Sequence, residues 1–315
     1  MRISRRDLIA AGAAALPLAA GAHPVPKIAR RPLGRTGMMA SILGLGGGSQ
    51  FLAACGNDEE AADLISTAID GGINYLDSAF GYGNGESLRR IGLVAGKRRS
   101  EVLLTSKTGR RDRDGALREV EVALKNLQTD HLDVMQIHSI EPGEDLDRIL
   151  APDGVYRALL ELKEQKVVRA VGITGHATAL KMKTLMERME VVDTVLCPVN
   201  PKPDSRHYGS VVEPDNPEGH FKEVLLPAAR ARGLGIIAMK VTAQGQLIGQ
   251  GPGKSGVEPL LRYALSEPGV AVAIVGPGSL ANLKRNLEYA ARFRPMPASE
   301  RARLAAHIAG APPSA

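Results

Sequence analysis

Short apolar runs alternate with longer amphipathic segments from residue 42 almost to the end of the chain. Ile42–Leu45 reads as a strand ending in Gly46-Gly47-Gly48, and Glu59–Asp70 has helical spacing, with Leu64, Ile65, Ala68 and Ile69 on one side. Further strands are predicted at Ile73–Asp77, Val102–Ser106, Leu132–Ile137, Ala170–Ile173, Thr194–Val199, Gly235–Met239 and Val270–Val275. Helices are predicted between them at Glu86–Leu93, Arg113–Leu127, Gly154–Glu164, Ala177–Met189, Phe221–Ala231, Val257–Leu265 and Leu280–Arg292, with a last amphipathic stretch at Glu300–Ile308. Loops are expected at Gly47–Asn57, Glu141–Asp153, Pro201–Gly219 and Val241–Gly256.

The strands are apolar on both sides, as parallel strands covered by helices are. Strand-then-helix units in this number and length fit a single α/β domain, a (β/α)8 TIM barrel. The competitor is a doubly wound open sheet. Gly44-Leu45-Gly46-Gly47-Gly48 lacks the G-x-G-x-x-G spacing that leads directly into a helix, so that motif is not supported.

The first 22 residues stand apart. Ser4-Arg5-Arg6-Asp7-Leu8-Ile9 opens an apolar, small-residue run to Ala20, and Ala20-Gly21-Ala22 offers a cleavage site. The arginine pair resembles a twin-arginine export signal. This predicts a signal peptide over 1–22, a flexible mature N-terminus over 23–30 and the barrel over 31–315. It also predicts a periplasmic or otherwise exported protein that meets the twin-arginine machinery. The apolar run is too short for a normal membrane span, so no stable membrane insertion is expected.

Composition narrows the class. The chain is 44% hydrophobic and 23% charged, ordinary for a globular protein, which excludes disorder and a small disulfide scaffold. Cys55 and Cys197, the two cysteines, could pair or both be free. Net charge is +6, with both signs mixed along the chain, and aromatics make up 3%. Neither property argues for a nucleic-acid partner, and both suit a small molecule.

In a barrel, chemistry sits at the C-terminal ends of the strands. Asp77 ends one predicted strand, followed by Ser78-Ala79-Phe80-Gly81-Tyr82-Gly83; Ser106-Lys107 ends the next, and His138 follows the third. Taken singly, an Asp–Lys pair reads as structural, a tyrosine between glycines as a rim residue, and a histidine as a hydrogen-bonding group. Their joint position on one rim makes them a candidate site. No third ligand accompanies Asp77 and His138, and Lys107 would repel a cation, so no metal is predicted.

The stretch from Asn74 to Glu86, with Asp77 and Tyr82 five residues apart, is similar to the signature of the aldo/keto reductases. Lys107 and His138 complete that family's catalytic tetrad. Arg31-Pro32-Leu33-Gly34-Arg35-Thr36-Gly37 resembles its N-terminal hairpin, which covers the barrel bottom, and Ile274-Val275-Gly276 with Asn286 resembles its last nucleotide-binding region. The resemblance implies NADPH-dependent reduction of an aldehyde or ketone, with NADH as the other possible cofactor. Tyr82 would be the general acid, its pKa lowered by Lys107; Asp77 would orient Lys107, and His138 would polarise the carbonyl.

The same resemblance implies cofactor contacts at Gly175, His176, Asn200, Met239, Lys240, Gly276, Gly278, Ser279 and Asn286. Departures mark a divergent branch. Thr174-Gly175-His176 replaces the usual Ser-Asn, and Met239-Lys240 stands where many members carry an aromatic residue. Gly276 and Asn282 stand where many carry basic residues, with Lys284 and Arg285 following. Export adds the expectation of an unidentified redox partner that recycles the cofactor. The alternative is a non-catalytic nucleotide-binding or sensory module using the same pocket; a barrel isomerase or hydrolase is a third reading without independent support.

Overall fold

The computed structural model describes residues 28–176, 178–202 and 221–310. The residues read as an export signal, Ala177 and most of the Pro201–Gly219 loop, with Arg206, His207 and Tyr208, lie outside the described residues.

The chain opens with β1 (Arg30–Pro32) and β2 (Met39–Ser41), paired antiparallel. Then come β3 (Leu43–Gly46), α1 (Ser49–Ala54), α2 (Asp58–Asp70), β4 (Tyr75–Asp77), α3 (Glu86–Ala95), β5 (Leu103–Thr108) and α4 (Arg113–Leu127). The middle of the chain gives β6 (Leu132–Ile140), α5 (Leu146–Leu150), α6 (Val155–Glu164), β7 (Val168–Gly175), α7 (Ala179–Arg188) and β8 (Thr194–Pro198). The last part gives α8 (Leu225–Ala231), β9 (Gly235–Met239), α9 (Val257–Ser266), β10 (Val270–Val275), α10 (Leu280–Ala291) and α11 (Ala298–Ile308). Strands β3 to β10 close a parallel barrel in sequence order, with β10 pairing β3. This is the (β/α)8 fold, with an N-terminal hairpin.

Alternation along each strand sorts the side chains. Tyr75, Leu103, Val134, Ala170 and Ile237 pack in the barrel interior. Their neighbours Leu76, Leu104, Met135, Val171 and Ile236 pack outward under the helices. The period of two then aims Asp77, Thr105 with Lys107, and Gln136 with His138 into the barrel. The hairpin closes the opposite end: Leu33 is fully buried in the interior cluster, and Arg31 donates to the carbonyls of Leu265 and Val270.

Two short helices lie where loops were expected. Helix α1 is six residues long and buries only Phe51, too short to show a period. Helix α5 is set by its cap, Asp145, whose carboxylate accepts from the amides of Asp147 and Arg148. Helix α8 starts at Leu225, four residues after the expected Phe221. Both cysteines are free and buried.

Candidate active site at the barrel mouth

Three adjacent strands and one turn build the site. Asp77 and Lys107 are each 1% exposed. Lys107 Nζ donates to Asp77 Oδ2 at 2.7 Å and to the Ser78 carbonyl at 2.8 Å. Its remaining proton points to the Tyr82 hydroxyl at 3.4 Å. Thr105 Oγ1 lies 3.3 Å from Asp77 Oδ1 and supports the other carboxylate oxygen.

Tyr82 reaches this pair because the chain turns sharply after β4. The Phe80 amide donates to the Lys107 carbonyl at 3.3 Å, and the Tyr82 amide donates to Ala79 O at 3.1 Å. Gly83 and Gly85 then take positive φ of 62° and 90°, which reverses the chain into α3. Gly47 packs on the same strand end: a Cβ there would lie 2.6 Å from the Asp77 carbonyl, so only glycine fits. His138 meets Tyr82 edge to face, with ring centroids 5.7 Å apart.

Burial sets the protonation states. It drives His138 down to about 3, helped by the charges of Lys107, His176 and Arg111, so the imidazole is neutral. Burial also drives His176 down to about 4, with Lys240 and Lys107 adding to it. Burial opposes the charge on Lys107, but Asp77 and Tyr82 outweigh it and hold the ammonium above its ordinary value. Tyr82 departs from expectation. Lys107 pulls the phenol down, yet burial and the Asp77 charge pull harder, and the net displacement is upward. In this structure Tyr82 is a held proton, not an incipient phenolate.

A cleft of about 160 Å³ runs from Asp77 and Tyr82 past His176, Met239 and Lys240 to Gly276. A second, of about 340 Å³, continues from Val275 and Gly276 to Asn282, Arg285, Asn286 and Tyr289. The two share Val275 and Gly276, forming one elongated groove. Just past Gly276, Ser279 caps α10 by accepting from the Asn282 amide at 3.1 Å, and Gly278 takes φ of 66°. The helix N-terminus there presents amides to an anion.

The residue-by-residue placement is uneven. His176, Met239, Lys240, Gly276 and Asn286 line the groove; Gly278 and Ser279 line neither cleft and follow Gly276 at the start of α10. Gly175 ends β7 where a Cβ would meet Met182 and the Ile140 carbonyl, and it lines neither cleft. Asn200 lines neither cleft: it donates to the Lys240 carbonyl at 3.0 Å and accepts from the Lys202 amide at 3.0 Å, fixing the turn below Lys240. Gln50, Gln244 and Tyr289 line the groove without having been singled out in the sequence. Gln50 packs on Gly276, where a Cβ would come within 2.8 Å of it. Nothing local marks these side chains, because the barrel brings them together from distant loops.

The sequence pattern of the aldo/keto reductase family matches residues 43–252. The chain belongs to the aldo/keto reductase family. It is therefore an oxidoreductase, and the groove is where a nicotinamide dinucleotide is to be sought. The chain is 27% identical to L-galactose dehydrogenase of Arabidopsis thaliana over 83% of its own length and 88% of that protein's. Its fold matches the holo form of aldo-keto reductase AKR11C1 from Bacillus halodurans at a TM-score of 0.71, with 21% identity, covering 90% of this chain and 97% of that one. It also matches an aldo-keto reductase from Klebsiella pneumoniae in complex with NADPH, at a TM-score of 0.69 and 19% identity, over 91% and 96% of the two chains.

The groove fits such a cofactor on its own chemistry. It has two lobes joined at a glycine-lined waist, and the buried Nδ1 of His176, among the described residues, has no hydrogen-bond partner within the protein. Arg285, hydrogen-bonded to Asn282 at 2.5 Å, supplies a cation in the outer lobe.

Proposed function

We propose that this protein reduces an aldehyde or ketone to the alcohol, with NADPH as its preferred cofactor and NADH as the alternative. The observation that carries this reading is the Lys107–Asp77–Tyr82 contact set opening onto the two-lobed groove. The NADPH complex of the Klebsiella pneumoniae protein supports the choice of cofactor.

Met239, His176 and Val241, which also lines the inner cleft, would hold the nicotinamide half, Gly276, Gly278 and Ser279 the pyrophosphate, and Arg285 with Asn286 the adenosine half. When bound, the reduced cofactor supplies the hydride. The protein supplies the rest. The neutral His138 donates one N–H to the carbonyl oxygen and polarises it. Tyr82 hands its proton to that oxygen as negative charge grows there. The alkoxide is a stronger base than a phenolate, so a phenol with a raised pKa still releases its proton. Lys107 then faces the phenolate and stabilises it, while Asp77 keeps the ammonium charged and aimed.

The test is a titration of NADPH and NADH by calorimetry, followed by a carbonyl screen with Tyr82→Phe as the control. Binding with turnover that the variant loses by about 10²-fold or more supports the proposal. Binding without any turnover favours the nucleotide-binding module instead, and no binding of either nucleotide removes both readings.

Export remains part of the proposal. Arg5, Arg6 and the apolar run to Ala20 support a twin-arginine route, which would deliver a folded protein with its cofactor and call for a redox partner in place. Cell fractionation of the wild type and of an Arg5→Lys, Arg6→Lys variant checks this; an unchanged distribution would remove it.

A further inference from the structure

His138 is held in an unusual backbone. The pairing of β6 with β7 shifts register between Ile137 and Ile140, and the bulged Ser139 takes a φ of 52°. A serine in the left-handed region is strained, and such strain persists only where the surroundings impose it.

Arg111, from the loop after β5, holds this backbone. Its Nη2 donates to the carbonyl of His138 at 2.9 Å and to that of Ser139 at 3.0 Å. The same guanidinium grips Glu144 through a fork, Nε to Oε1 and Nη2 to Oε2, both at 2.7 Å. Arg111 and Glu144 are largely buried, with side chains 21% and 13% exposed. Lys181 of α7 fastens the other side of that segment through the carbonyls of Pro142 and Glu144. The 141–145 segment is thus pinned to the back of His138 by a planar, bidentate contact that a lysine could not reproduce.

The orientation this fixes is consequential. His138 faces Tyr82, Lys107, His176 and Arg111, and it is neutral among them. A neutral imidazole donates from only one nitrogen, so its direction decides whether that proton meets a carbonyl oxygen.

We propose that Arg111, through its fork to Glu144, is a positioning residue for His138 and couples the 141–145 loop to the carbonyl-polarising ring. This rests on the role given to His138 above.

The test compares the full-length wild type with Arg111→Lys, Glu144→Gln and His138→Asn. Histidine ring resonances are followed by NMR, with His138 assigned by its loss in His138→Asn. Carbonyl-reduction kinetics and dinucleotide affinity are measured alongside. Both clamp variants are expected to move the His138 resonance and to lower kcat about tenfold to a hundredfold, with dinucleotide Kd changed less than about twofold. Arg111→Lys keeps the charge, so its effect reports the lost guanidinium contacts to Glu144 and to the two carbonyls together. A His138 resonance coincident with wild type in both clamp variants overturns the proposal, whatever their stability. Should Arg111→Lys not fold, Glu144→Gln carries the comparison, because it weakens the charged fork that aims the guanidinium without removing the guanidinium. If His138→Asn turns over the carbonyl as wild type does, the catalytic reading of His138 fails separately, and the resonances still decide whether the clamp sets the ring.

Discussion

Lys107 and Asp77 share a contact of 2.7 Å at positions almost closed to water. Removing one partner of such a pair leaves an uncompensated buried charge, which costs about 3–5 kcal/mol. Lys107→Met should therefore lower the urea-denaturation free energy by about that amount, in addition to removing activity; a change under about 1 kcal/mol would mean that Asp77 had simply taken a proton. Tyr82 gives a prediction in pH. Its phenol is displaced upward by burial, so it stays protonated through neutral pH and reduction should be independent of its titration there. Alcohol oxidation needs the phenolate. Its rate should climb with pH on a limb centred above the ordinary phenol value of about 10, and a limb near 7 would contradict the burial argument. The assembly of Asp77, Tyr82, Lys107 and His138 at one rim was legible because such groups are rare together at strand ends. The direction of the Tyr82 shift was not legible, because it depends on how deeply the turn buries the ring. Arg111 was also silent: it belongs to no motif, and its partner Glu144 is 33 positions away.

At the scale of elements, long periodic helices were read almost to the residue, and α4 spans Arg113–Leu127 as its spacing predicts. The misses were α1 and α5, of six and five residues, which have too few turns to display a face. Strand β6 outran its predicted end by three residues because the bulge at Ser139 carries pairing past His138. The hairpin offers a clean test of its role as the barrel's floor. Gly34 has φ of 54°, and a Cβ on it would stand 2.2 Å from the Gly235 amide nitrogen. Gly34→Ala combines left-handed strain with a backbone clash and should destabilise the fold by about 3 kcal/mol in chemical denaturation. Dinucleotide affinity should stay near wild type, since the groove lies at the other end of the barrel. A loss of binding without loss of stability would mean that the two ends are coupled.

For the whole molecule, His138 and His176 tie stability to acidity. Their folded values of about 3 and about 4 lie below the ordinary 6.5. Below pH 6.5 the unfolded chain takes up protons that the folded chain refuses. Stability is then lost as pH falls from about 6.5 toward 5, with a slope of up to about 1.4 kcal/mol per pH unit for each histidine. Urea midpoints measured across that window should fall toward acid in wild type and fall less in a His138→Asn, His176→Asn double variant. Equal slopes in the two proteins would show that neither ring is held neutral.

The order of apolar runs determined the barrel, since eight strand–helix units with both strand faces apolar have few other ways to bury themselves. The Asp77-to-Tyr82 spacing, Lys107 and His138 marked the candidate site, because strands in register deliver their ends to one rim. Tertiary structure alone decided the rest: that Gln50 and Tyr289 join the groove, that Asn200 fixes a turn instead of lining it, that Tyr82 holds its proton, and that Arg111 stands behind His138. Each depends on contacts between segments far apart in the chain, and on burial, a property of the closed barrel that no local stretch of sequence carries.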